Sequence, residues 1–166
     1  QFEQLERADH ERDLLRVRGS LRSISEDVAT RVKDYAHWDD TYRYLAGGYP
    51  RFLADNIADG WFADYNVDVL MFVDRDGRAL WSRVRDPETA AVVSTPPALR
   101  EQLRGVNLSN VGAEDSVNGV FWTAYGPLVY AAAHASRSDG SGATSNGFVV
   151  MGRFIRVEAF SQETQL

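Results

Sequence analysis

The sequence predicts an α+β fold built from one long helix, two or three short helices and five strands in an antiparallel sheet. Three observations lead there. Leu14, Val17, Leu21, Ile24, Val28, Arg31, Tyr35, Trp38, Tyr42 and Leu45 alternate spacings of three and four, one helical stripe broken in its apolar character only at Arg31. Beyond "RFLADNIADGWF" the pattern changes to short runs rich in Val, Phe, Tyr and Trp, bounded by turn residues. Those runs are joined mainly as hairpins, the connection that antiparallel neighbours use. With 166 residues, 44% of them hydrophobic, the chain is long enough for one cored domain and too short for two.

A helix from near Phe2 to Leu45 is on the order of 65 Å long at its usual rise, whereas a domain of this size has a radius of gyration of about 15 Å. Part of the helix must therefore project. Its opening, "QFEQLERADHERD", is mostly charged and suits a solvated stalk or a loosely paired dimer arm. Gly19 followed by Ser20 is a point where it can bend. In "LAGGYP", Gly47 and Gly48 stop this helix and Pro50 starts the next. "RFLADNIADGWF" reads as one short amphipathic helix with Phe52, Leu53 and Ile57 inward. "VDVLMFVD" and "ALWSRV" form a hairpin turning at Gly77, and "PPALREQL" a brief helix. Three more strands follow, "GVFWTAY", "PLVYAAAHA" and "GFVVMGRFI", the last two flanking a flexible Ser/Gly loop, "SRSDGSGATSNG".

A net charge of −6 and a pI near 5.0 argue against affinity for nucleic acid or anionic lipid headgroups, which require a basic face. Without cysteine there is no disulfide, thiolate metal site or thiol nucleophile. Nothing approaches the roughly 20 apolar residues of a membrane span, and no signal-peptide pattern is visible. The chain opens on Gln1, so a fragment of something longer is expected.

"DYAHWDDTYRYL", residues 34–45, crowds a histidine, two aspartates and four large aromatics together. On an ideal helix Asp39 lies about 45° from the centre of the apolar stripe and Asp40 about 145° away. His37 falls on the outer side with Asp40 and cannot readily share an ion with Asp39, while His10 and His134 lack ligand spacing, so no metal and no cofactor is expected. "DRDG" is a hairpin turn rather than a calcium loop, because Phe72 stands where a third ligand is needed. The glycine-rich loop lacks the Lys-Ser/Thr ending of a phosphate loop, and no G-x-S-x-G elbow presents a serine. Trp61, Phe62, Trp81 and Trp122 suit a core better than a ligand stack.

Asp39, flanked by Tyr35, Trp38 and Tyr42, loses hydration and needs hydrogen bonds or a cation. Arg153 shares a strand face with Val149 and Met151 and is thereby turned toward an apolar layer. Two readings stay open: a structural Asp39–Arg153 pair or a capping bond from Asp39, and a cavity in which these groups take a ligand carboxylate and ammonium.

"YAHWDDTYRYL", "FLADNI", "VDVLMFVDRDGRALWSR" and "AAAHASRSDGSGATSNGFVVMGRFI" resemble, in order, the blocks of the fourth class of CHASE extracytoplasmic sensor domains, over nearly the whole chain. The resemblance implies a PAS-like or Cache-like fold, with residues 1–46 as a long N-terminal signalling helix packed against the sheet of residues 47–166. It implies a place between two membrane helices of a bacterial or archaeal receptor, with a histidine kinase, diguanylate cyclase or phosphodiesterase as output. It also implies that Trp38, Asp39, Tyr42, Asn56 and Arg153 shape the site. The expected partners are a small carboxylate or zwitterion and a second copy of the chain. The alternatives are a ligand-free dimerisation or protein-interaction module and, in third place, a hydrolase using Asp39 with His37.

Overall fold

The computed structural model describes residues 2–156, with side chains described for Arg12 and from Leu15 onward. The expectations for Gln1 and for "RVEAFSQETQL" beyond Arg156 fall outside those residues. The chain begins with a 35-residue helix, α1 (Phe2–Ala36), which stays helical through Gly19 and Ser20. Three short helices follow, α2 (Asp39–Leu45), α3 (Phe52–Asn56) and α4 (Trp61–Tyr65). Then come β1 (Val69–Val73), β2 (Ala79–Arg85), β3 (Val92–Ser94), α5 (Pro97–Arg104), β4 (Val117–Thr123), β5 (Gly126–His134) and β6 (Phe148–Phe154).

The strands form one antiparallel sheet in the order β3-β2-β1-β6-β5-β4. It has six strands rather than the expected five. The extra one, β3, is three exposed residues on the edge, paired with Arg83–Arg85, too short to produce an alternating pattern. The central strand β1 is buried on both faces, which is why "VLMFV" is continuously apolar. Gly77 sits in the β1–β2 turn with φ +80°, where a side chain would be strained.

Two further expectations are corrected. The helix does not run unbroken to Leu45: Trp38 is extended (φ −110°, ψ 131°) and α2 starts afresh after it. The break is held by the Ser136 N–H, which donates to the Ala36 carbonyl at 2.9 Å and so takes one of the last acceptors of α1 for the end of β5. The buried positions of α2 consequently become Thr41 and Leu45 instead of Trp38 and Tyr42. "RFLADNIADGWF" likewise splits into α3 and α4.

Each sheet face has its own core. On one, Leu70, Phe72, Ala131, Ala133, Val149 and Met151 meet Val28, Val32 and Ala36 of α1 and the aromatics of α2–α4. On the other, Val69, Met71, Leu128 and Val150 lie under Leu99, Leu103 and Leu108, of which the first two come from α5.

A charge is buried at one end of this sandwich. Asp68, fully inaccessible, accepts from the Phe154 N–H at 2.9 Å and from the guanidiniums of Arg85 at 2.8 Å and Arg156 at 3.2 Å. It ties the entry to β1, the end of β2 and the end of β6 together. Arg156 keeps access to water, but removing Asp68 strands the Arg85 guanidinium and the Phe154 N–H, so Asp68→Ala is expected to cost about 3–5 kcal/mol. Urea unfolding of the variant checks this; a loss below about 1 kcal/mol would contradict the assignment.

Candidate functional site

The five site residues expected from the sequence do not converge. Trp38 belongs to the core, edge-on to Tyr35 at 6.0 Å and tilted against Phe52 at 5.8 Å. Asn56 closes its own helix, donating from Nδ2 to the Phe52 carbonyl at 3.0 Å. Arg153 lies inward on the face of Val149 and Met151, its side chain only 12% exposed, but it does not meet Asp39. Its guanidinium donates to Asp27 of α1 and, through Nε, to the Asn66 carbonyl at 2.7 Å. Asp39 itself is exposed. The expected Asp39–Arg153 pair is thus replaced by Asp27–Arg153, because a position twelve residues before Asp39, about 18 Å along a helix, is the one lying over the end of β6.

Asp27 is the centre of a small network. Arg31, the residue that interrupts the apolar stripe, donates to it from one turn away at 3.1 Å. Burial pushes the Asp27 carboxyl up, yet hydrogen bonds from Arg153 and Arg31 outweigh this and hold it below its ordinary value.

Asp39 and Tyr42 do come together, with the Ser/Gly loop rather than with Arg153. The Ser138 N–H and hydroxyl donate to the two carboxylate oxygens of Asp39 at 2.9 and 2.8 Å. The Arg137 guanidinium stacks on the Tyr42 ring, 4.3 Å from its centroid. Asn146 donates from Nδ2 to the Tyr42 carbonyl at 2.8 Å. Gly142, at φ +76°, passes so close that an added Cβ would lie 2.7 Å from the Tyr42 ring carbon bearing the hydroxyl. The loop expected to be flexible is therefore clasped onto α2, and its glycines serve that approach. Inside the loop, Asp139 accepts from the Ser141 N–H at 2.9 Å.

Between the clasp and α2 lies an open depression of about 450 Å³, lined by Asp39, Tyr42, Arg43, Arg137, Ser138 and Asp139. Hydrogen bonds from Ser138, the backbone N–H first and then the hydroxyl, hold Asp39 below its ordinary value; those from Ser141 do the same for Asp139. Two carboxylates and two guanidiniums thus share one wet concavity, a set suited to a ligand carrying both signs of charge. Arg43, Arg137, Ser138 and Asp139 were missed from the sequence. There the loop reads as a flexible connection that lacks the ending of a phosphate site, and its offset of 99 residues from Asp39 is not a local pattern.

His37 does not join Asp39. It neighbours Lys33, Ala113 and Glu114, and its Nε2 is buried with no partner among the described residues. Trp61 and Phe62 are core, as their spacing suggests, whereas Trp122 is 79% exposed.

The CHASE4 domain profile matches residues 21–166. The chain belongs to the CHASE4 family. Among its relatives is the methanogenesis regulatory histidine kinase FilI of Methanothrix harundinacea (strain 6Ac), 25% identical over 139 residues, covering 81% of this chain and 16% of that protein. The extracellular domain of the histidine kinase vpHK1S-Z8 has a similar fold, with a TM-score of 0.61 and 15% identity over 95% of this chain and 62% of that one. So does a domain of a sensory box/GGDEF family protein from Vibrio parahaemolyticus, with a TM-score of 0.59 and 12% identity over 92% of this chain and 61% of that one. This CHASE4 domain thus spans a small part of FilI and less than two thirds of either structure. No helix among its described residues is long and apolar enough to cross a membrane.

Two expectations follow. Asp39→Ala removes both acceptors of Ser138, so the Ser138 amide should exchange with solvent at least tenfold faster while amides of β1 keep their protection; hydrogen exchange resolved by residue reads both. Burial, then the nearby Lys33 ammonium, lowers the His37 pKa below the ordinary histidine value of 6.5. The unfolded chain therefore binds the proton more readily, so stability should fall as pH drops below 6.5. Thermal midpoints should decline from pH 7 to 5, and less so in His37→Gln.

Proposed function

We propose that this CHASE4 domain is the extracytoplasmic sensor of an inner-membrane receptor, with a histidine kinase or a cyclic-di-GMP cyclase or phosphodiesterase as output. In this reading it binds a small zwitterion or carboxylate in the depression between α2 and the Ser/Gly loop. The observation that carries it is the Asp39–Ser138 clasp, because both of its sides lead to the chain ends. Asp39 follows directly on the break that ends α1, and the loop runs straight into β6. A ligand ammonium competes with Ser138 for Asp39, and a ligand carboxylate engages Arg137 or Arg43. Occupancy then shifts the balance between clasped and open loop, to the extent that the ligand binds one state better. The receptor works as a homodimer tethered by flanking membrane helices, so a small change where α1 ends is delivered to the membrane by the helix itself.

A ligand-free dimerisation module is the second reading. It is supported by the exposure of Leu15 at 65% and Trp122 at 79%, apolar surface that a second copy would cover. Calorimetric titration with amino acids and small dicarboxylates separates the two. A hit should weaken at least tenfold in both Asp39→Ala and Arg137→Ala, with unchanged circular dichroism. Unaltered affinity in both variants would refute the site, and absence of any binding alongside a concentration-dependent dimer would favour the second reading.

A further inference from the structure

The opposite sheet face carries a second concavity, of about 420 Å³, between the β1–β2 turn and α5. Arg78, Arg100 and Arg104 line it, with Glu101 as the one acidic group. Arg100 is steered by the Ala79 carbonyl at 3.2 Å, and Arg104 by the Gly77 carbonyl at 3.0 Å and by Glu101 at 2.8 Å. The guanidinium of Arg78 has no acceptor among the described residues. Three guanidiniums against one carboxylate leave two positive charges unmatched, on a chain whose net charge is −6. A merely solvated basic surface would scatter its side chains. Here two of the three are fixed by backbone carbonyls, which orient a guanidinium without neutralising it.

We propose that this concavity is an anion site for a phosphate-type oxyanion, either free or as the headgroup of a phosphorylated metabolite or lipid. Arginine forks offer such groups paired hydrogen bonds in a geometry that carboxylates and phosphates match. Arg100 and Arg104 supply pre-positioned donors and Arg78 closes over the anion. The whole-chain charge, which argues against anionic partners, averages this patch away. The site is independent of the ligand proposed for the α2 depression.

Inorganic phosphate titrated into the domain at constant ionic strength, set with chloride, tests it by NMR of backbone amides and arginine Nε–H groups. Saturable shifts confined to residues 77–79 and 95–104 are expected. Arg78→Ala removes no intramolecular bond and should weaken binding about tenfold, the scale of one charge-assisted hydrogen bond. Asp39→Ala should bind phosphate as the unsubstituted chain does, which separates this site from the α2 depression. Co-sedimentation with phosphatidylcholine vesicles, with and without phosphatidic acid, distinguishes the sources. Sedimentation that requires phosphatidic acid and Arg78 assigns a lipid headgroup, and saturable phosphate binding without it assigns a free anion. Shifts equal in chloride alone, or phosphate and vesicle results both insensitive to Arg78→Ala, would overturn the proposal.

Discussion

A helix of 35 residues is about 52 Å long, whereas the longest strand beneath it, β5 with nine residues, reaches only about 30 Å. The sheet can support little more than half of α1. Burial follows this mismatch: Val28, Val32 and Ala36 are inaccessible, while Leu15 is 65% exposed. The apolar contact alone would let the helix slide by a turn, since its stripe repeats. Polar contacts to the sheet set the register instead. Near one end of the docked segment Asp27 meets Arg153 and Ser25 accepts from Asn118 of β4 at 3.1 Å, and at the other the Ala36 carbonyl receives the Ser136 N–H.

Those contacts give β6 its place in the molecule. It pairs with β1 on one side and β5 on the other, carries Arg153 to α1, and at Phe154 donates to the buried Asp68. The two anchors differ in kind. Asp27 keeps 41% of its side chain in contact with water, so its pair is worth less and can be exchanged at modest cost. Asp68 has no water to fall back on, and its partners from β2 and β6 must stay. Adjustment is therefore cheaper between α1 and β6 than within the sheet.

The fold was legible in the sequence wherever one residue's environment repeats along an element. The stripe of α1, the doubly buried run of β1 and the Gly77 turn are of that kind. The break at Trp38 was not, because it is made by Ser136, a hundred positions away in the chain, while the apolar spacing continues across it. The inward turn of Arg153 could be read from its strand face, but its partner could not, since that depends on where the helix crosses the sheet. Asp27 did leave a signal: it stands one turn before the single arginine in the stripe. Asp68 left another, as an acid inside the apolar run "VDVLMFV". The CHASE4 blocks are legible as motifs, yet "WDDTY" and "SDGSG" touch one another rather than gather around Arg153.

That contact also bears on how the two faces of the sheet are kept apart. The loop after β5 and the turn after β1 lie at the same end of the strands, because Val73 is paired with Phe148. Gly147, at φ +95°, is pressed so closely on this turn that a Cβ would lie 2.9 Å from the Asp74 Cα. On one side of this junction the loop holds Asp39 of α2; on the other the turn presents the Gly77 carbonyl to Arg104 of α5. The tight fit at Gly147 pins the last residue of the loop to the strand end, so the Asp39 clasp can open without moving the turn. The two charged concavities share this end of the sheet yet have no lining residue in common, which is why each can hold its own ligand.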